Sequence, residues 1–417
     1  MLLLAPSLHS FWKEVKKINR SQPIKSSPAP VIDATHDDSD IAALFSNKLS
    51  NLLSSDNPVS RDNLLGHLSS HMTTNDLFSV SISSSCVCSA FKLLKPHKRD
   101  GTTLMSDHLI LAEPAIADFV ATLFTCILRH GYMPLDLRDC ILVPIPKPYK
   151  DPTSSDNYRP VALAPTLSKA LEWSILLTYP QYFTTSDLQF GFKKGLSTSL
   201  CTGLIKNVVS RYVHHGSSVY GCFLDASKAF DRVNHHTLFT KLSKRNLPPV
   251  LNRFLLSWYK TQQMQVRWNS SLSPPFATTN GVRQGGVLSP ILFTIYLDDL
   301  LTGLKDLGVG CHWDGCFVGA VGYADDVALL APSPSALRIM LRFCENFASM
   351  HSLTFNASKT QLIRFGTQQS HTCSALIYFL PILLFYCTHF AFIITLILLL
   401  MMKSCCIHLL HLYLLPS

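Results

Sequence analysis

Two adjacent carboxylates stand out in the stretch GAVGYADDVALLAP, residues 319–332. Apolar runs with β-branched residues flank Asp325 and Asp326, a pattern that predicts a β-hairpin with the acids at its tip. Side by side, like charges repel, so a divalent cation between the pair and a polyanionic substrate is one explanation for them. A solvated Asp-Asp turn is the other explanation, and this stretch alone fits both.

A third carboxylate ends the stretch VYGCFLDASKAFD, residues 219–231. The apolar run predicts a strand that ends at Asp225, followed by a helix that begins near Ser227. An acid at that position can face the hairpin acids. Such a three-carboxylate cluster can bind two divalent ions about 3.5–4 Å apart and clamp the oxygens of an in-line phosphoryl transfer. Alternatively, Asp225 is the N-cap of the helix.

Two further stretches carry polar groups beside apolar elements. Residues 280–300, NGVRQGGVLSPILFTIYLDDL, set a glycine-rich loop before a long apolar helix. The glycines permit close approach to a ligand, Gln284 offers donors and acceptors, and Pro290 suits the first turn of the helix. Residues 353–366, LTFNASKTQLIRFG, predict a turn and strand that carry Lys359.

Basic and aromatic residues lie upstream of these motifs. A short strand is predicted in DCILVPIPKP, residues 139–148, and Arg159 lies in an extended segment before a proline. The turn QFGFKKGLSTS, residues 189–199, fits a cradle for phosphates or a stacked base, or an ordinary Lys-Gly turn. A basic loop, residues 95–107, precedes a helix predicted over residues 114–129.

Composition sets the broad class of the protein. The chain has 417 residues, of which 47% are hydrophobic and 15% charged, and its net charge is +9. Such a chain buries a substantial core, and its basic balance suits a phosphate-rich partner. The 13 cysteines show no zinc-site spacing, which indicates reduced thiols in an intracellular compartment. The first residues do not resemble a signal peptide.

The order of these motifs resembles the reverse transcriptase family. FLDASKAFD, GVRQGGVLSPILFTIYLDDL, GYADDVALLA and LTFNASKTQLIRFG are similar to its palm motifs. ILVPIPK, NYRPVAL and QFGFKKGLSTS resemble the fingers of its non-LTR (LINE-type) retrotransposon branch. The resemblance covers residues 85–366. It implies RNA-directed DNA synthesis, with an RNA template, a DNA primer and deoxynucleoside triphosphates as partners.

The resemblance also implies roles for the chemical groups. Asp225 and Asp325 would hold two Mg²⁺ ions, with Mn²⁺ as a substitute, and Asp326 would complete the acidic cluster. Phe230 matches the bulky gate that excludes a ribose 2′-hydroxyl. Lys359 matches a lysine that protonates the departing pyrophosphate.

The remaining site residues would contact the nucleotide or the template. Gln284 and Gly285 match the lining of the nucleotide pocket. Arg159 and Lys194 match groups that meet the triphosphate or the template strand.

The implied fold is an α+β right-hand polymerase, with an antiparallel palm sheet backed by helices, fingers before it and the thumb largely missing. We expect a partly ordered lead-in over residues 1–85, fingers over 86–200, and a reverse transcriptase domain over 128–370 with its palm core at 201–366. In this interpretation the chain is a fragment that begins after the endonuclease of a complete element. The alternative functions are a catalytically incompetent nucleic-acid-binding remnant and, if the tail is genuine, a membrane-anchored protein.

The tail, residues 371–417, differs from the rest of the chain. Residues 375–402 carry no charge and are long enough to span a bilayer, so an automated predictor would call the protein a membrane protein. We favour frame-slipped sequence, because Phe, Leu, Ile, Tyr and Cys dominate where a thumb is expected. The expected location is intracellular, in nucleus and cytoplasm.

Overall fold

A computed structural model describes residues 31–54, 58–70, 73–100 and 104–366. The helices of these ranges are α1 Asp38–Leu52, α2 Pro58–Ser70, α3 Thr74–Phe78, α4 Ser84–Lys92, α5 Ser106–His130, α6 Leu135–Arg138, α7 Thr166–Thr178, α8 Thr198–His214, α9 His235–Lys244, α10 Pro249–Thr261, α11 Ser289–Asp306 and α12 Pro334–Met350. The strands are β1 Cys140–Pro146, β2 Tyr158–Leu163, β3 Val219–Asp225, β4 Gln263–Trp268, β5 Ser271–Leu272, β6 Phe276–Ala277, β7 His312–Trp313, β8 Cys316–Phe317, β9 Ala320–Tyr323, β10 Asp326–Ala331 and β11 Gln361–Phe365.

The palm motifs build one four-stranded antiparallel sheet in the order β11-β3-β10-β9. Strand β3 is buried along its length except at Asp225, where the chain leaves the sheet. Helices cover both faces of the sheet: α11 and α12 pack on one, and α8 packs on the other. Because a strand buried on both faces needs apolar side chains throughout, β3 and β10 read as continuous hydrophobic runs.

A second sheet follows the order β2-β1-β4-β5, with β6 also paired to β4. Strands β1 and β2 form an antiparallel hairpin, whereas β1 and β4 run parallel. Helix α1 packs on this sheet through Phe45, whose ring lies 5.2 Å from Tyr158 and 5.3 Å from Trp268. A segment of the predicted lead-in is therefore part of the folded structure around the second sheet.

Helix α5 is long and apolar enough to cross a membrane by length and composition, although only 28% of its most apolar window is buried. It packs against α4, α7 and α10 through side chains such as Phe124. The prediction that this helix begins at Pro114 is wrong, because it begins at Ser106 and contains that proline. Burial of Leu109 stabilises the additional turns, and this packing outweighs the hydrogen bond that a proline removes.

The prediction of an α+β fold with a palm and fingers is confirmed at this level. The tail at 371–417, its candidate span at 375–402 and the position expected for a thumb lie outside the described residues. The boundaries of the other regions stay predictions.

Candidate active site

Three carboxylates meet where two central palm strands end. Asp225 is the last residue of β3, and Asp326, the first residue of β10, is its direct partner across the antiparallel pair. Asp325 precedes Asp326 in the turn from β9, which confirms the predicted hairpin. All three side chains line one cavity of about 690 Å³.

The N-cap alternative for Asp225 is wrong. The chain after β3 forms a short 3-10 turn, Ala229–Arg232, and α9 begins only at His235. Lys228, directly before the 3-10 turn, has a left-handed backbone with φ of 50°, so no helix can start at Ser227. The Asp225 carboxylate therefore faces the cavity.

Gln189 fixes the turn that carries the hairpin acids, a role that the sequence analysis missed. Its side chain is fully buried, and its Oε1 accepts hydrogen bonds from the backbone N–H groups of Ala324 at 3.0 Å and Gly191 at 2.8 Å. Ala324 adopts φ of 60°, a conformation that needs such support. The only signal in the sequence was the QFG motif itself.

Burial and mutual repulsion dominate the electrostatics of the acids. Burial, together with the charges of Asp325 and Asp225, raises the pKa of Asp326 to about 7. Burial also raises the pKa of Asp325, with a contribution from Asp225, whereas Lys359 and Arg159 lower it. Carboxylates held under such repulsion are stabilised by any cation that enters the cavity.

Lys359 supplies one such charge. Its Nζ lies 3.2 Å from Oδ2 of Asp225, and the two side chains are 43% and 27% exposed. The loop before β11 is also tied to β3, because the N–H of Asn356 donates to the Asp225 carbonyl at 2.7 Å. The prediction that Lys359 belongs to the site is thus matched by its position.

Within the described ranges, no group of three or more His, Cys, Asp or Glu side chains is arranged to hold a metal ion. Asp225 pairs with Lys359. The donors nevertheless fit a hard divalent cation, because three carboxylates line one cavity and carboxylate oxygens are the ligands that such a cation prefers.

Phe230 lines the cavity in a fixed orientation. Its ring stacks on Phe293 of α11, with centroids 4.5 Å apart and planes at 18°. The ring of Phe192 meets it edge-on at 6.4 Å. Phe230 therefore presents a rigid apolar surface beside the carboxylates.

Gln284 lines the same cavity, and Gly285 follows it at the outer edge of the loop. The backbone N–H of Ala162 donates to the Gln284 carbonyl at 2.7 Å, which joins the loop to the second sheet. Gly285 has φ of 121°, and a Cβ there would lie 2.7 Å from the Ala162 carbonyl oxygen. Glycine is therefore required at this position.

A buried ion pair, which the sequence analysis missed, anchors this loop. Glu172 of α7 pairs with Arg283, and their side chains are 0% and 1% exposed. The same carboxylate accepts a hydrogen bond from the N–H of Leu288 at 2.7 Å, just before α11. The Arg283 guanidinium also lies over the ring of Trp258, 4.3 Å from its centroid.

Cationic side chains line the same cavity as the acids. They include Arg159, Lys147 and Lys228. Burial lowers the pKa of Lys147, and the charges of Arg159, Lys228 and Lys359 lower it further. Lys48 of α1 adds another cation, held by Asp156 at 2.6 Å.

The structure brings most of the predicted site residues together. Those that line the cavity are Arg159, Asp225, Phe230, Gln284, Asp325, Asp326 and Lys359. Lys194 is exposed and lies outside the cavity wall. Lys48, Lys147 and Lys228 line the wall as well, and none of them was singled out from the sequence.

The acids thus lie at the ends of the two central strands of an antiparallel sheet, in a cavity that cationic side chains also line. Residues 145–380 match the family described as "Reverse transcriptase (RNA-dependent DNA polymerase)". This match covers more than half of the chain, which therefore belongs to the reverse transcriptase family.

Individual relatives agree with this assignment. The chain is 31% identical over 289 residues to the RNA-directed DNA polymerase from mobile element jockey of Drosophila funebris, covering 65% of this chain and 30% of that protein. It is 30% identical over 253 residues to the probable RNA-directed DNA polymerase from transposon BS of Drosophila melanogaster, covering 59% and 27%. The chain thus spans less than a third of either relative.

Among solved structures, telomerase from Candida albicans, in complex with a fragment of telomeric RNA, aligns with a TM-score of 0.40 and 12% identity. The alignment covers 58% of this chain and 44% of that one.

Proposed function

We propose that this chain is an RNA-directed DNA polymerase that extends a DNA 3′-hydroxyl with deoxynucleotides. The observation that carries the proposal is the cavity of about 690 Å³ that three carboxylates and several cationic side chains line together. A deoxynucleoside triphosphate needs both kinds of group, because the carboxylates can hold divalent cations and the cationic side chains can bind its anionic phosphates. Membership of the reverse transcriptase family supports the same conclusion.

Asp225, Asp325 and Asp326 would hold the divalent cations of this reaction, two Mg²⁺ ions with Mn²⁺ as a substitute. Bound there, such cations neutralise the phosphates and stabilise the charge that develops in phosphoryl transfer. Lys359 is the pairing charge of Asp225 when no cation is present.

The chain's own cations bind and orient the triphosphate. Arg159, Lys147 and Lys228 line the same cavity. Burial and the charges of the neighbouring cations lower the pKa of Lys147, and bound phosphates would relieve the part that comes from charge repulsion. As the 3′-hydroxyl oxygen attacks the α-phosphorus, its proton passes to solvent and the bond to pyrophosphate breaks. Lys359, partly exposed beside the acids, protonates the departing oxygen.

Phe230 selects the sugar. Its ring stacks on Phe293 with centroids 4.5 Å apart, and this packing opposes movement of the ring away from a larger substrate. We assign it the exclusion of a ribose 2′-hydroxyl, which leaves deoxynucleotides as substrates.

The RNA template and DNA primer occupy the surface that continues from the cavity. Lys194 is exposed two residues beyond Phe192 and suits a contact to the template backbone. We also propose, from the sequence alone, that no helical thumb is encoded in the apolar residues after 371.

Primer extension tests the proposal. The purified full chain is incubated with an RNA template, an annealed DNA primer, the four deoxynucleotides and Mg²⁺ at low salt. We expect addition of nucleotides that depends on the RNA sequence and on the divalent cation. Binding of the template–primer without any extension, in Mg²⁺ and in Mn²⁺, would favour the nucleic-acid-binding remnant instead.

A further inference from the structure

Asp231 is a carboxylate in the cavity wall to which the mechanism above gives no role. It follows Phe230 and is 6% exposed. Its Oδ1 accepts a hydrogen bond at 2.9 Å from Nε2 of Gln284, 53 residues away in the sequence. Burial raises the pKa of Asp231, whereas the Gln284 bond and the charges of Lys228 and Arg232 lower it. Burying a carboxylate is costly, so its partner is the feature to explain.

The backbone around Gln284 is already fixed from both sides. The N–H of Ala162 donates to the Gln284 carbonyl at 2.7 Å, and the N–H of Val282 donates to the Phe230 carbonyl at 2.7 Å. These backbone bonds do not fix the side chain of Gln284. The hydrogen bond to Asp231 restricts the rotation of that side chain and holds its amide at the cavity wall.

The chemistry of the pair also orients the amide. An ionised carboxylate only accepts hydrogen bonds, so the NH₂ end of Gln284 faces Asp231. The carbonyl end, Oε1, then remains as an acceptor for a ligand in the cavity. Phe230 lines the same cavity as Gln284, and its ring stacks on Phe293. One oriented acceptor next to a rigid apolar surface is suited to recognising a nucleotide.

We propose that Asp231 is a positioning residue for the incoming nucleotide, acting by holding the Gln284 amide with its carbonyl oxygen toward a hydrogen-bond donor of that nucleotide. This inference rests on the proposed function, because it concerns the same cavity. It adds a residue that determines substrate affinity by acting through Gln284.

Single-nucleotide addition measures the effect. In Asp231→Ala, the KM for the deoxynucleotide should rise about 10-fold, while kcat and the Kd for the template–primer change less than about 3-fold. Asp231→Asn keeps an acceptor oxygen and should regain most of the loss. Asp118→Ala, an exposed carboxylate on α5, is the matched control. A KM for Asp231→Ala equal to that of the wild type would overturn the inference.

A reversed pair separates positioning from a structural role. Gln284→Glu places two carboxylates against each other and should raise the KM. Combining it with Asp231→Asn restores one donor and one acceptor, and the KM should return to within about 3-fold of the wild type. The double variant shortens neither side chain, so it tests the inference even if Asp231→Ala fails to fold. Failure of the reversed pair to recover, with an unchanged urea midpoint, would contradict positioning through Gln284.

The wild-type chain separates this inference from the proposed function. A wild-type chain that extends no primer overturns the proposed function and the inference together. A wild-type chain that extends primers, with Asp231 variants of unchanged KM, overturns the inference alone.

Discussion

Asp326 lies directly opposite Asp225 across the two central antiparallel strands of the palm. Facing residues of such a pair have their Cβ atoms about 4.5–5.5 Å apart, so two like charges there destabilise the sheet. Lys359 offsets part of that repulsion from one side, at 3.2 Å from Asp225. The strand register alone therefore creates a place that attracts cations.

Divalent cations should stabilise the folded chain through these acids. Mg²⁺ at roughly 10 to 100 times its Kd should raise the free energy of unfolding by about 1.4–2.7 kcal/mol. Urea unfolding at pH 8 with Mg²⁺, and with a chelator instead, measures the difference. Asp225→Asn should abolish the difference, whereas Asp118→Asn on α5 should keep it. An equal response in all three proteins would place the cation elsewhere.

Sugar selection should depend on Phe230. Phe230→Val shortens the apolar wall beside the carboxylates, so the preference for deoxynucleotides over ribonucleotides should fall by about 10- to 100-fold. Ratios of kcat/KM for the two nucleotides measure this preference. Phe119→Val, on the exposed face of α5, serves as the control because Phe119 is 79% exposed. An unchanged ratio in Phe230→Val would refute the gate.

The ion pair between Glu172 and Arg283 should dominate the stability of the loop before α11. Glu172→Ala leaves the Arg283 guanidinium buried without its partner, a change that costs about 3–5 kcal/mol. The double variant Glu172→Gln with Arg283→Met removes both charges and should be less destabilised than Glu172→Ala. Urea unfolding of the three proteins tests the order. If the double variant is the least stable, the loop depends on the charges themselves.

Acid should weaken the fold through His235. Burial lowers its pKa to about 4, and its Nε2–H donates to the Gly281 carbonyl at 2.8 Å. Between the ordinary value near 6.5 and 4, the unfolded chain binds a proton that the folded chain does not. Stability is therefore lost as the pH falls through this window, by about 3 kcal/mol in total.

His235→Gln should flatten that pH dependence. Free energies of unfolding between pH 7 and pH 4.5 measure the slope, and His130→Gln, at an exposed site, is the control. If His235→Gln and the wild type lose stability in parallel, another group controls this window.

Local pattern predicted the acidic hairpin and the strand that ends at Asp225, because alternation and apolar runs are properties of neighbouring residues. Long-range contacts were not predictable in this way. Gln189 reaches Ala324 across 135 positions, and Glu172 reaches Arg283 across 111. Only folding brings such pairs together.

Two local predictions failed for physical reasons. The helix expected near Ser227 is absent, because Lys228 takes a left-handed backbone and the chain forms a 3-10 turn first. Helix α5 begins at Ser106 rather than at Pro114, because tertiary packing of Leu109 outweighs the preference of proline for a helix start.

The most direct test of the central claim is single-nucleotide extension of a DNA primer on an RNA template by Asp325→Asn. The substitution keeps the size of the side chain and removes one of the three charges that would hold the divalent cations. The account predicts a loss of extension of about 10³-fold or more, with the Kd for the template–primer nearly unchanged. Extension at the wild-type rate, or a loss of binding as large as the loss of extension, would contradict it.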